Sequence, residues 1–159
     1  MDAGDFDEEE LFRAMAGSGT RWLLIGRRAL VALGLPVLTA DYDFWIDIDG
    51  IESFNAAAAS CGLIPDKTAD AARATGRYVV EGDERVDVLV ARQVSTRDGV
   101  VLRFEDAWSR RRAVPYEPGL SLWIPSIPDL ILTKKWSLRA KAVQDIDLLE
   151  ALSREEPSS

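Results

Sequence analysis

The sequence predicts a mixed α/β domain in which a small central sheet carries acidic side chains and helices pack mainly on one face. Residues 41–49 alternate apolar and acidic side chains, which is the period of a half-buried strand. Two further apolar runs, 77–81 and 85–91, flank a Gly-Asp-Glu turn and indicate a hairpin. The alanine-rich residues 51–61 indicate a helix that suits close packing on a sheet.

Chain length and composition favour one folded domain. The 159 residues are 47% apolar, which is enough for one well-buried core and too little for two domains. We predict a single domain over residues 8–153, with disordered tails at 1–7 and 154–159. The net charge of −8 comes mostly from residues 1–10, which carry six acids, while the rest of the chain has 21 acidic and 19 basic residues. This nearly neutral body argues against a domain built for general nucleic-acid binding.

Composition also excludes several kinds of site. The sequence contains no histidine, which excludes imidazole bases, serine and cysteine triads and most zinc sites. The single Cys61 cannot form an internal disulfide, and we interpret it as a small buried residue at a helix end. No window is apolar enough to span a membrane and the acidic start does not resemble a signal peptide, so we expect a cytoplasmic protein.

The first elements lead to a glycine turn. A short helix is predicted over residues 8–16, and residues 17–20 are interpreted as a linker because they precede a strand rather than follow one. The apolar run 22–25 predicts that strand, and Gly26 separates it from a helix over 28–33. A glycine between a strand and a helix permits close backbone approach, which suits a phosphate.

The second strand carries the first candidate site residues. The predicted core face comprises Tyr42, Phe44, Ile46 and Ile48, and the opposite face comprises Asp41, Asp43, Trp45, Asp47 and Asp49. At the rise of a strand, the Cα atoms of Asp41 and Asp43 are roughly 6.5–7 Å apart, so both carboxylates can converge on one cation or a cation pair. The alternative interpretation is a solvated face of an amphipathic strand.

A third acid, Asp87, alternates with valines in the strand over 85–91. The local sequence is compatible with a site residue and with a charge on an edge strand. After the hairpin, strands are predicted at 100–104, 113–116 and 120–124. Residues 64–76 are predicted as an exposed loop with a helical turn. Residues 106–112 are predicted as a solvated turn with one or two salt bridges, and the alternative is that the three arginines contact a phosphate or a nucleic acid.

The C-terminal segment predicts a helix that begins after Ser126 and continues to about Leu152. Ser126 has the position of an N-cap, and Asp129 suits the positive end of the helix dipole.

Two sets of charged residues lie on this helix. Lys134, Leu138 and Lys141 have the spacing of one helical stripe, so two cations can reach the same place, although a solvated cationic stripe has the same pattern. Asp145 and Arg139 are interpreted as a charge pair that fixes the helix rather than as catalysts.

These features together resemble the polymerase-β-like nucleotidyltransferase fold, and in particular its small bacterial members related to toxin–antitoxin systems. That family has a hydrophobic strand, a Gly-Gly or Gly-Ser turn, an Asp-x-Asp about a dozen residues later and a third acid on a later strand. The corresponding residues here are Gly26, Asp41, Asp43 and Asp87. Residues 130–146 resemble a helix of the family that carries a lysine followed by the motif Arg-x-Lys-Asp-x-x-Asp. By this resemblance, Lys134 would be the lysine that faces the phosphates. The resemblance spans residues 20–152.

The resemblance implies a metal-dependent enzyme that transfers a nucleoside monophosphate from an NTP to a hydroxyl of a protein, an RNA or a small molecule. It implies that Asp41, Asp43 and Asp87 hold Mg²⁺ or Mn²⁺ and that Asp87 also orients or deprotonates the acceptor hydroxyl. The triphosphate would be bound by Gly26, Arg27 and Lys134. An antitoxin is a protein partner that the resemblance suggests.

Two residues depart from the family pattern. Arg27 stands where the family has a second Gly or Ser, and Ala142 stands where Asp is usual. An arginine at position 27 either attracts phosphate by its charge or occupies the site and closes it. The second case predicts a catalytically inactive binding or interaction protein of the same fold. A glycosyltransferase with an Asp-x-Asp motif is less consistent, because 159 residues leave little room for a nucleotide-sugar domain.

Overall fold

The computed structural model of this chain describes residues 6–136 and 140–156. Within these residues there are seven α-helices, one 3₁₀ helix at Ile48–Gly50 and nine strands. The helices are α1 Glu8–Ala16, α2 Gly26–Ala32, α3 Ile51–Ser60, α4 Ala69–Thr75, α5 Phe104–Ser109, α6 Ile127–Trp136 and α7 Ala140–Glu155. The strands are β1 Trp22–Ile25, β2 Tyr42–Ile46, β3 Ile64–Pro65, β4 Arg77–Glu81, β5 Arg85–Leu89, β6 Gln93–Ser95, β7 Val101–Arg103, β8 Arg112–Glu117 and β9 Leu120–Ile124.

The central sheet has five strands in the order β1-β2-β5-β4-β3. β2 and β5 are parallel, and the other neighbouring strands are antiparallel, so the sheet is mixed as predicted. In the register of the sheet, Ile25 pairs with Asp43, and Asp43 pairs with Asp87. Two hairpins, β6–β7 and β8–β9, form separate two-stranded sheets. The end of β1, the start of β2 and the middle of β5 therefore lie side by side.

The larger core covers one face of the central sheet. Tyr42, Phe44 and Ile46 of β2 belong to it, which confirms the predicted core face of this strand. Helices α1, α2, α3, α4, α6 and α7 all contribute buried side chains to the same core. The predicted arrangement, with helices mainly on one face, is confirmed.

The opposite face of the sheet is not a row of carboxylates, and that part of the sequence interpretation is wrong. Trp45 is fully buried there in a second core with Leu23 and Phe104, because α5 and the β6–β7 hairpin cover this part of the sheet. The indole Nε1 of Trp45 donates a hydrogen bond to the carbonyl of Ala91 at 2.8 Å. Asp47 lies beyond the end of β2 and caps the 3₁₀ helix, so Asp43 is the acid that the strand itself carries on this face.

Residues 64–76 are more ordered than the predicted loop with a helical turn. They contain β3, which pairs with β4 at the edge of the sheet, and α4. The side chain of Thr68 caps α4 by accepting a hydrogen bond from the N–H of Ala71, and Ala72 is buried in the larger core. The helix forms because it has a capped start and a buried face.

The prediction of a turn over 106–112 is also wrong, because α5 occupies most of this segment. Phe104 and Ala107 are buried in the second core, and burial of this face favours a helix over a turn. The strand predicted at 100–104 is β7, which ends at Arg103 and pairs with β6, a strand that the sequence analysis did not identify.

The three arginines that follow α5 make structural contacts, as predicted for two of them. Arg110 forms a two-point salt bridge with Asp129 at 2.9 and 3.0 Å, and Arg112 pairs with Glu156. The guanidinium of Arg111 instead lies over two indole rings, 3.8 Å from the centre of Trp108 and 4.3 Å from that of Trp123.

The predicted domain limits at residues 8 and 153 stay a prediction, and contacts within the described residues extend a little beyond both. Asp7 caps α1 by accepting a hydrogen bond from the N–H of Glu10, and Phe6 packs on Tyr42, so both belong with the domain. At the other end, α7 continues to Glu155.

Cys61 lies at the C-cap of α3 and is half-buried. Burial raises the pKa of its thiol.

The predicted C-terminal helix is described as two helices, α6 and α7. Leu138 and Arg139 lie outside the described residues, and so do the side chains of Lys141 and Ala142. The predicted stripe and the predicted partner of Asp145 therefore stay predictions. None of the helices in the described segments is long and apolar enough to cross a membrane.

Candidate active site

The six residues that the sequence singles out all line one cleft. The cleft has a volume of about 710 Å³ and lies where β1, β2 and β5 meet α2, α6 and α7. The residues in question are Gly26, Arg27, Asp41, Asp43, Asp87 and Lys134. These six residues comprise a glycine turn, three carboxylates and two cations, which is a set of groups suited to phosphate chemistry.

Asp43 and Asp87 are direct neighbours across the parallel strands β2 and β5. Adjacent strands are about 4.8 Å apart, and paired residues in register point to the same face of the sheet. The edge-strand interpretation of Asp87 is wrong, because β5 lies between β2 and β4. The side chain of Asp87 is nevertheless 48% exposed, and its Oδ1 is 3.5 Å from Nη2 of Arg85. Asp43 and Asp87 therefore lie side by side on two interior strands, and the side chain of Asp87 is accessible to solvent.

Asp41 lies one residue before β2, on the exposed rim of the same cleft. Its N–H donates to Oγ1 of Thr39 at 3.0 Å. Within residues 6–136 and 140–156, no three carboxylate or thiol side chains are grouped as a metal site. Mg²⁺ is commonly held by one or two carboxylates together with phosphate oxygens of the substrate. The adjacent pair of Asp43 and Asp87, with Asp41 nearby, fits that kind of site.

Gly26 brings the turn into contact with the carboxylate of Asp43. It follows β1 directly and has a φ of 70°, a backbone conformation that favours glycine. A Cβ built at this position would lie 2.5 Å from Oδ2 of Asp43 and 3.0 Å from its Cγ. The turn therefore requires glycine for two independent reasons, its backbone conformation and the space that Asp43 occupies.

Asp145 of α7 pairs with Arg27 and Lys134, the two cations that the sequence singled out. It is fully buried, and its Oδ2 is 2.9 Å from Nζ of Lys134. Its Oδ1 is 3.0 Å from Nη2 of Arg27, and Nε of Arg27 donates to both oxygens at 3.1 and 3.2 Å. Burial by itself raises the pKa of Asp145, but hydrogen bonds from Arg27 and Lys134 outweigh it and hold this pKa below its ordinary value. The carboxylate is therefore ionised at neutral pH.

Arg27 also bridges two segments on the rim of the cleft. Its Nη1 donates to the carbonyl of Leu38 at 3.0 Å, and its Nη2 donates to Oε1 of Gln144 at 3.4 Å. All three nitrogens of the guanidinium group thus have acceptors within the protein. The sequence did not identify Asp145 as the partner of Arg27, because the two residues are far apart in the chain and share no local pattern.

Arg28 supports the loop that carries Asp41, a role that the sequence did not reveal. Its Nε donates to the carbonyl of Asp41 and its Nη2 to that of Thr39, both at 3.2 Å. Its Nη1 pairs with Glu8 at 3.2 Å, and its guanidinium lies 4.1 Å from the ring centre of Tyr42. Arg28 therefore fixes the short loop that leads into β2. Its position two residues after Gly26 is the signal that could have identified it.

Three solved structures share this fold over nearly the whole chain. TM1012 of Thermotoga maritima, a candidate nucleotidyltransferase, has a TM-score of 0.59 and 14% identity, and the match covers 93% of this chain and 91% of TM1012. The antibiotic-resistance factor ANT(2'')-Ia has a TM-score of 0.63 and 16% identity, covering 92% and 83%. The lincosamide antibiotic adenylyltransferase LnuA, with lincomycin bound, has a TM-score of 0.62 and 14% identity, covering 93% and 99%.

In contrast to the structure, the sequence itself shows no similarity to known proteins in the comparisons made with it. No protein-family model and no curated protein matches this sequence. At identities of 14–16%, structural similarity establishes the fold and leaves the activity to be argued from the site. This chain has the nucleotidyltransferase fold.

Proposed function

We propose that this protein is a nucleotidyltransferase that moves a nucleoside monophosphate from an NTP to an acceptor hydroxyl and releases pyrophosphate. The observation that carries the proposal is the pairing of Asp43 with Asp87 in register on parallel strands, next to the glycine turn at Gly26. Lys134 adds a cation to the same cleft. Nucleotidyl transfer needs this combination, because charge on the phosphates must be balanced while a hydroxyl is activated.

The acidic residues of the cleft would hold a divalent cation. Asp43 and Asp87, which are adjacent on parallel strands, would be two of its ligands, and Asp41 is a further carboxylate that lines the same cleft. Bound Mg²⁺ or Mn²⁺ supplies positive charge that offsets the negative charge of the phosphates.

The remaining residues of the site would bind the triphosphate. Because Gly26 has no side chain, the phosphates can approach the main chain at the turn. The ammonium group of Lys134 carries three donors, of which one is directed at Asp145, and the others can donate to phosphate oxygens.

Asp87 is suited to the proton transfer. Its side chain is half-exposed in the cleft, so an acceptor hydroxyl can reach it. As the hydroxyl oxygen forms a bond to the α-phosphorus, its proton passes to the carboxylate of Asp87. The bond between the α-phosphorus and the bridging oxygen breaks, and pyrophosphate leaves with the electron pair.

The acceptor class is open among protein, RNA and small-molecule hydroxyls. ANT(2'')-Ia has been seen with adenylyl-2''-tobramycin, and LnuA is a lincosamide adenylyltransferase. These neighbours make hydroxylated small molecules the first acceptors to test for this chain. The relation to toxin–antitoxin systems and an antitoxin partner stay predictions from the sequence.

The proposal is tested by labelling and calorimetry. Each of the four α-³²P-labelled NTPs is incubated with the protein, Mg²⁺ and a panel of acceptors, and label transfer and pyrophosphate release are measured. We expect binding of one or more NTPs that is lost with a chelator, and label on one acceptor class. Folded protein that binds no NTP would favour the alternative function, an inactive interaction protein whose turn is occupied by Arg27. The matched control is Arg73→Ser, which breaks a surface ion pair with Glu52 away from the cleft.

A further inference from the structure

We propose that Arg27 is a positioning residue that neutralises Asp145, so that Lys134 keeps its positive charge for the phosphates of a bound nucleotide. This inference rests on the proposed function, since it concerns the same site. It assigns to Arg27 neither of the roles that the sequence suggests, because the guanidinium group would act through Lys134 rather than touch the nucleotide or close the cleft.

The geometry of the three charges supports this assignment. Lys134 and Arg27 approach the same buried carboxylate, with Nζ of Lys134 at 2.9 Å and Nη2 of Arg27 at 3.0 Å. The side chain of Asp145 is 1% exposed, so water contributes little to balancing its charge. A buried carboxylate must be compensated by nearby donors and cations. Here the compensation is shared between two cations.

Arg27, Lys134 and Asp145 form a cluster of two cations and one anion, with one net positive charge. Lys134 and Asp145 alone would form a neutral pair, and a phosphate would then have to compete with Asp145 for the ammonium group. Addition of Arg27 gives two cations to one anion. The surplus charge faces the cleft that Lys134 lines.

The hydrogen bonds of Arg27 argue against direct phosphate binding and against obstruction. Its three nitrogens donate to Asp145, to the carbonyl of Leu38 and to Gln144. Of the five N–H groups of a guanidinium group, these contacts leave at most one, on Nη1, for a phosphate, and the two-point contact with Asp145 fixes the plane of the group. The same contacts hold the side chain against α7.

Three variants test the charge balance, with inorganic tripolyphosphate and Mg²⁺–ATP as the titrated probes. Arg27→Ser leaves a neutral pair, Asp145→Asn leaves two cations, and the double variant restores one net positive charge. We expect probe affinity to fall about tenfold in Arg27→Ser, which corresponds to about 1.4 kcal/mol. We expect it to rise in Asp145→Asn and to return to within about threefold of wild type in the double variant, because the affinity follows the net charge of the three groups. Arg73→Ser, which removes one positive charge from an exposed ion pair, is expected to leave affinity unchanged.

Two outcomes would overturn the inference. Tighter binding by Arg27→Ser would mean that the arginine obstructs the site. Weaker binding by Asp145→Asn, without rescue in the double variant, would mean that Asp145 acts by holding Lys134 in place rather than by its charge. If Arg27→Ser does not fold, Arg27→Lys keeps the charge and loses the two-point geometry, and it is expected to bind the probes like wild type. A tenfold loss in folded Arg27→Lys would contradict the charge argument.

The test separates this inference from the proposed function. Inorganic tripolyphosphate reports the charge of the cluster without any nucleotidyl transfer. The expected order of affinities in a protein that transfers no label would support the inference and contradict the enzyme proposal. Label transfer by a protein whose variants do not follow this order of affinities would support the enzyme proposal and contradict the inference about Arg27.

Discussion

The α-carbon of Gly26 faces the carboxylate of Asp43 so closely that an added Cβ would lie 2.5 Å from Oδ2. Gly26→Ala must therefore displace Asp43 as well as strain a backbone with a φ of 70°. We expect a loss of about 1–2 kcal/mol of stability from the backbone conformation, and a much larger loss of Mg²⁺-dependent NTP binding in calorimetry.

The control for this variant is Gly34→Ala. Gly34 has a φ of 84°, but a Cβ there would meet no atom within 4 Å. Gly34→Ala should lose a similar amount of stability in thermal unfolding, because its backbone is strained in the same way, but it should retain NTP binding. Equal effects of both variants on binding would show that the contact with Asp43 is unimportant.

Asp43→Asn and Asp87→Asn are expected to have different kinetic effects. Asp43 lies between the glycine turn and Asp87, so its loss should abolish Mg²⁺-dependent nucleotide binding while the fold is kept. Asp87→Asn should retain part of the binding and lower kcat by about 10²–10⁴-fold, the usual contribution of a general base. Calorimetry and steady-state kinetics measure the two effects. Unchanged binding in Asp43→Asn would contradict the site assignment.

Arg28→Ala tests whether the loop before β2 must be fixed. The variant loses hydrogen bonds to the carbonyls of Thr39 and Asp41, each worth about 1 kcal/mol. We expect kcat to fall by at least about tenfold, because Asp41 is no longer held at the cleft. The control is Glu8→Gln, which weakens the ion pair with Arg28 but leaves both carbonyl contacts. If the two variants lower kcat equally, Arg28 acts through α1 rather than through the loop.

Asp145 should make stability depend on pH in the acid range. Its pKa is lowered in the folded protein from an ordinary value of 3.8, so its stabilising effect is complete above that value. The effect is lost as pH falls through the lower, folded-state pKa. The difference in unfolding free energy between wild type and Asp145→Asn should therefore be largest near neutral pH and shrink toward pH 2.

Denaturant titrations at a series of pH values measure this difference. Both proteins keep other acid-sensitive groups, such as Asp47 with its lowered pKa, so both should still lose stability in acid. A difference that stays constant from pH 7 to pH 2 would contradict the role of the ionised Asp145.

The sequence predicted the part of the fold and site that depends on local patterns. Alternation in β2 identified Tyr42 and Phe44 as core residues, and the glycine turn with the spaced acids identified residues that line one cleft. Alternation alone does not reveal what covers the second face of a strand. Trp45 was therefore placed with the acids although distant segments bury it.

Contacts between distant segments explain what the sequence did not predict. Asp145 meets Arg27 because α7 packs beside α2, and no periodic pattern encodes that contact. The helix α4 is different, because its sequence carries ordinary cap signals at both ends, Thr68 and Gly76.

The parallel pairing of β2 with β5 also has a consequence for folding. Asp43 and Asp87 are 44 positions apart in the chain, so their contact closes a long loop that includes α3, β3, α4 and β4. Such non-local pairing is slow to form, and it brings two like charges together. A divalent cation that binds the finished pair and not the open chain would stabilise the native state by mass action. Refolding in Mg²⁺ should therefore yield a native protein that unfolds more slowly than the same protein in a chelator.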